Sequence, residues 1–180
     1  MKIPLRKLKA IILYFCENTD SKFLGKVKLM KLFYFLDFTH VKRHGIPVTW
    51  DHYVHLEYGP IPSTIKNLVD DAGEDFDSSP LADTIGIEKK DGVNMYRIVQ
   101  RRKFTKADEG MLSENELDIL KEVCQRFGNE NTAYIVKQSH EENPWKKTRL
   151  LQEIPYALAA DDSDSRTSKE IINLSLKLLG

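Results

Sequence analysis

Between residues 28 and 44 the apolar and polar positions do not divide into equal faces. At about 100° per residue, Leu29, Met30, Leu32, Phe33, Tyr34, Leu36, Phe38 and Val41 cover a wide apolar arc. Lys28, Lys31 and Lys42 fall on the narrow remainder, the one face expected to meet solvent. A helix this apolar belongs inside a domain, with other elements packed around it. Asp37, His40 and His44 project from within the apolar arc. A buried polar group without a partner costs about 1–3 kcal/mol, so each is expected to have one. The plain expectation is a buried Asp37–His40 hydrogen-bonded pair that clamps this helix against the segment Tyr58-Gly59-Pro60-Ile61-Pro62.

The flanking patterns predict the rest. Leu5, Leu8, Ile12 and Phe15, after Pro4, predict a helix ending near Glu17. The central helix runs from about Gly25 to Gly45, which suits a left-handed cap, with Pro47 beyond it. Positions 53–58 alternate like a strand. Gly59-Pro60-Ile61-Pro62 follows, and two prolines remove ladder donors, so a rigid loop is expected. Ser63 caps a helix carrying Ile65, Leu68 and Val69, and Asp91-Gly92 predicts a hairpin over 84–100. Ser113-Glu114-Asn115-Glu116 is a capping box for a helix closed by Gly128, and a second helix begins at Asn131 or Thr132. Residues 153–158 read as extended, 161–165 as a polar break, and 169–179 as a closing helix with Ile171, Leu174 and Leu178. The expected fold is α+β: a mainly helical single domain around a buried central helix. One small antiparallel β-sheet, of strand 53–58 and hairpin 84–100, completes it. Residues 1–160 form the domain, with 161–180 as a break and C-terminal helix.

Composition narrows the function. The 180 residues balance 27 Lys and Arg against 27 Asp and Glu. Residues 1–60 hold ten basic and five acidic side chains, +5, which leaves seventeen and twenty-two, −5, for residues 61–180. A zero total argues against general nucleic-acid binding, while the split allows a charge-complementary protein partner. Cys16 and Cys124 have no CxxC spacing and fit two core thiols in a reducing cytoplasm. The apolar run at 10–16 lacks a small-residue cleavage site, and no run approaches ~18 apolar residues, so neither secretion nor a membrane span is expected.

Candidate chemistry is sparse. His40 and His44 share a helix face with Asp37, and His52 and His55 follow closely, so a metal site on Asp37, His40 and His44 is one reading. No HExxH, GxSxG, Walker A or GxGxxG motif supports an enzyme. The helices within 113–141 have helix-turn-helix spacing, and Lys137, Gln138, Ser139 and His140 lie on the second. Glu141 and Glu142 would repel phosphates, so a plain helical hairpin is favoured over a DNA-binding regulator. The turns at 59–62 and 143–145 could present a fixed protein-binding surface.

These blocks together resemble a known family. The run KLMKLFYFLDFTH, then Gly45, Pro47, Tyr53 and YGPIP, is similar to the SocA/Panacea antitoxin domain, also met in GepA-like phage-associated proteins. A Leu-Ser-Glu helix start, Ser139-His140-Glu141 and Pro144-Trp145 extend the likeness over about 25–145. The resemblance rests on Lys28, Leu29, Lys31, Leu32, Tyr34, Asp37, His40, Gly59, Pro60, Pro62, His140 and Trp145, with Tyr58 beside them. It implies a cytoplasmic antitoxin of a bacterial or prophage pair that neutralises a cognate toxin by direct binding. In one version it acts as a proteolytic adaptor to a ClpXP-type protease. It implies no catalytic residue, no cofactor and no membrane partner. The residues after Asp161 have no counterpart in this likeness.

Overall fold

The computed structural model describes residues 3–74, 78–89 and 96–180. Its axis is α2 (Lys26–His44), buried without a break from 28 to 38. The helix ends at Gly45, which adopts φ +78° and returns its N–H to Val41 O. Only a residue without a Cβ takes that conformation freely. α5 (Glu114–Phe127) and α6 (Thr132–Glu141) pack along α2, and α1 (Leu5–Glu17) packs on α5. Aromatic pairs weld these contacts: Phe15 meets Phe33 edge-on at 5.3 Å between ring centres, and Phe35 meets Phe127 at 4.3 Å. Such pairs add about 0.5–1.5 kcal/mol beyond the area they bury.

The β structure differs from the expected single sheet. β1 (Tyr53–Leu56) pairs antiparallel with β2 (Gly59–Pro62), Tyr53 opposite Pro62 and Leu56 opposite Gly59. The proline-bearing segment is therefore a strand and not a loop, and the turn is Glu57-Tyr58. Backbone parity explains why two prolines are tolerated. Tyr53 O accepts from Ile154 N–H, while His55 donates to Gln152 O and accepts from Leu151 N–H. Those two residues thus face the 151–154 segment. Val54 and Leu56 face β2, opposite Ile61 and Gly59. Pro60 and Pro62 fall where the ladder needs no donor. α3 (Ser63–Glu74) then leads to a separate ladder of β3 (Ile85–Lys89) and β4 (Tyr96–Gln100). The Asp91-Gly92 turn lies outside the described residues.

Short elements complete the domain. α4 (Lys106–Glu109) carries its own capping box through Thr105 and Asp108. α7 (Asn143–Lys146) starts with Pro144 in its first turn, where the missing N–H costs nothing. Only the start of 153–158 is extended, because a 3-10 helix begins at Tyr156 (Tyr156–Asp161). α8 (Lys169–Leu179) closes the chain and packs on that 3-10 helix. No helix among the described residues is long and apolar enough to cross a membrane.

The largest correction concerns the lysines of α2. Lys28, Lys31 and Lys42 are buried, not solvated. Lys28 Nζ donates to Gly128 O and Glu130 O, at 2.8 and 2.6 Å, in the turn just past the end of α5. Lys31 Nζ donates to Pro60 O at 2.7 Å. Lys42 Nζ lies 2.8 Å from Glu142, 3.0 Å from Asp162 and 3.1 Å from Asp164. The apparent solvent face is an internal polar spine that pins three segments. Lysine's apolar stem allows this, because its methylenes pack while the head finds an acceptor.

Asp37 and His40 are also corrected. They do not bond to each other. The Asp37 carboxylate accepts from the N–H groups of Val48 and Thr49, both at 2.8 Å, from the Thr49 hydroxyl, and from Tyr53 OH at 2.9 Å. Tyr156 OH approaches at 3.4 Å. Burial pushes this carboxyl up to about 6, against the pull of those hydrogen bonds. His40 Nδ1 sits 2.6 Å from Ile46 O. The clamp thus holds the 46–53 loop, and Lys31 rather than Asp37 holds the 59–62 strand.

Candidate functional site

The site forms where the tip of the β1–β2 hairpin meets α6 and α7. Lys31 is fully enclosed beneath it, and burial pulls its ammonium down to about 7. Gly59, at φ +98°, lies directly over the lysine stem. A Cβ there would stand 2.6 Å from Lys31 Cε and 2.8 Å from Ser139 Oγ. Only glycine lets the hairpin close this far onto α2 and α6.

Beside it stands a three-ring stack. Trp145 lies between His140, 4.2 Å away between ring centres and 7° from parallel, and His55, at 3.3 Å and 20°. Thr148 fixes the far ring: its Oγ1 lies 2.9 Å from His55 Nδ1 and donates to Pro144 O. Trp145 is half-buried in this sandwich and not part of the central core. Burial, with the Lys31 charge second, lowers the pKa of His140; burial, with His140 second, lowers that of His55. Both rings are therefore held neutral near pH 7.

An open apolar groove runs along the outer side of this junction. Tyr58 from the hairpin turn and Val27 from α2 form one wall; Thr132, Ala133, Val136 and His140 of α6 form the other. Its volume is about 660 Å³, and Lys137 and Glu141 stand at its edge. Tyr58 is 64% exposed, a large aromatic held at a rigid tip with no cover.

Six of the residues picked out in the sequence converge here: Lys31, Tyr58, Gly59, Pro60, His140 and Trp145. Lys28, Tyr34, Asp37, His40 and Pro62 do not join them. Tyr34 OH donates to Glu142 at 2.8 Å, next to Lys42. Val136 escaped the sequence reading, and His55 and Ser139 entered it only beside a metal reading and within a family block, because each joins the site through contacts that carry no local pattern. The His40 and His44 rings lie 4.6 Å apart, and no group of three or more His, Cys, Asp or Glu among the described residues could hold a metal ion. The α5–α6 pair packs on α2 with Ile135 and Ser139 buried, a helical hairpin built into the core.

A family model described as antitoxin SocA-like, Panacea domain matches residues 29–146. The chain belongs to this family. Comparison with curated proteins and with solved structures gave no match. The SocA-like region runs from within α2 to the end of α7, so it contains the ring stack, Lys31, Lys42 and every groove residue but Val27, while Lys28 falls just before it. α1, the 3-10 helix and α8 lie outside it.

Proposed function

We propose that this SocA-like protein is a cytoplasmic antitoxin that neutralises a cognate toxin by direct binding, with the groove of Tyr58 and α6 as the contact face. The groove carries this reading. It is apolar, open and framed by an exposed aromatic, the features of a protein-binding hot spot. The residues under it are fixed by Lys31, Gly59 and the Trp145 stack, so the face is pre-organised and loses little freedom on binding. Occlusion of a toxin's active surface needs no cofactor and no catalytic group. The open face of α6 presents Ala133, Val136, Lys137 and Glu141, one cation balanced by one anion and not a row of cations, which favours a protein over nucleic acid.

The test is co-expression with the product of the neighbouring reading frame. The antitoxin reading expects that product to be toxic alone, to be suppressed by this protein, and to co-elute with it. Failure of both suppression and co-elution would sink it. The adaptor version adds one expectation: deletion of a ClpXP-type protease stabilises the toxin in cells. Unchanged toxin turnover would exclude that version and leave sequestration standing.

A further inference from the structure

α8 is apolar around more than half its circumference, and the domain covers only one side. Ile172 is fully buried, and Thr167, Ile171 and Ser175 pack over Gly45. Thr167 Oγ1 and Arg166 N–H both donate to Lys42 O, at 3.0 and 2.8 Å. At the other end Gly180 lies against Trp50. The helix is therefore anchored along its length. Yet Ile171, Leu174 and Leu178 are 55%, 57% and 72% exposed, and they stack three and four residues apart into one ridge. An anchored helix has no reason of its own to carry this ridge into water.

The charges beside the ridge say what fits it. Glu170 and Lys177 are seven residues apart, about 20° from alignment on a helix, so they share one flank of the ridge. Neither makes an ion pair among the described residues. In an antiparallel copy crossing at Leu174, Ile171 meets Leu178 of the second copy, and Glu170 lies beside Lys177 of the second copy. The same pairing repeats across the two-fold axis. One patch then matches itself in shape and in charge, as an isologous contact requires.

We propose that the ridge of α8 is a self-association surface, on which a second copy of this chain docks antiparallel through Ile171, Leu174 and Leu178. It lies outside the SocA-like region and on different elements from the groove, so it does not depend on the antitoxin reading. An 11-residue helix is only about 16 Å long, so the contact is small and the dimer is weak and concentration-dependent.

Sedimentation velocity on the whole protein, from about 1 µM to several hundred µM, tests this without any toxin. The expected result is a monomer–dimer equilibrium, with Leu174→Asp monomeric and unchanged in circular dichroism and melting temperature. Glu170→Lys and Lys177→Glu each weaken the dimer about tenfold, and the double exchange restores it. With an added thiol oxidant such as diamide, which takes up the two electrons and two protons, Leu174→Cys forms a disulfide with the same residue of the second copy across the axis. A protein monomeric throughout, a Leu174→Asp variant that still dimerises, or a double exchange no better than the singles would each overturn the proposal. A monomeric protein whose Leu174→Asp variant loses co-elution with the neighbouring gene product would give the ridge to that partner instead.

Discussion

Lys31→Met reports directly on the spine beneath the groove. The lysine has no solvent exposure and, among the described residues, makes a single hydrogen bond, to Pro60 O. A fall from 10.5 to about 7 amounts to about 5 kcal/mol, at ~1.4 kcal/mol per pH unit. The native state releases this proton near pH 7, and the unfolded chain keeps it until about pH 10.5. Between those values the unfolded state binds the extra proton, so Lys31 makes stability rise with pH. From about pH 7 to about pH 9 the rise is about 2 kcal/mol, since the native lysine is already half neutral at the start. Lys31→Met removes that slope. It also leaves Pro60 O without its donor, at about 1–3 kcal/mol. The variant is thus more stable than the wild type near pH 7, by about 1–3 kcal/mol, and about equal to it near pH 9. Urea unfolding across that range measures it. Lys28, whose pKa burial lowers to about 8, shifts both proteins equally, so the difference between them isolates Lys31. Parallel pH profiles would refute the reasoning and mean that Lys31 keeps its charge when folded.

Other substitutions probe the remaining anchors. Gly59→Ala is expected to cost about 2–4 kcal/mol in denaturant melts, from the left-handed backbone and the clash with Lys31 and Ser139. Asp37→Ala strands the donors of Val48, Thr49 and Tyr53 and should cost about 3–5 kcal/mol, with Asp37→Asn milder. Unchanged stability with lost function would make Asp37 a site residue and not a clamp. Lys42→Met leaves Glu142 and Asp162 facing each other without their cation, and a loss of about 3–5 kcal/mol is expected near neutral pH. Acid should partly restore this variant as Glu142, whose carboxyl burial pushes above the usual range, takes up a proton.

Period and capping made the main helices legible. The Gly45 stop, the Ser113–Glu116 box and the α8 pattern all appear where local chemistry dictates. What stayed hidden depends on distant partners. Lys28, Lys31 and Lys42 read as solvated because periodicity assigns lysine to water, and their acceptors lie 29 to 122 residues away. The prolines of β2 suggested a loop because a strand's tolerance for proline depends on which neighbour it faces, here set by 151–154. Asp37 was correctly seen as needing partners, but a nearby histidine was the wrong one. The groove drew on Tyr58 and His140, both visible in the sequence. Its α6 wall of Ala133 and Val136 looked like any helix face.

The contact face itself is tested most directly by calorimetric affinity for the neighbouring gene product, comparing wild type with Ala133→Glu and Tyr58→Ala. Ala133 and Tyr58 are both exposed, so the fold tolerates either change. Binding is expected to weaken about a hundredfold from the buried charge and about tenfold or more from loss of the aromatic, with melting temperature unchanged. Full affinity in both variants would contradict that expectation and place the toxin on another surface.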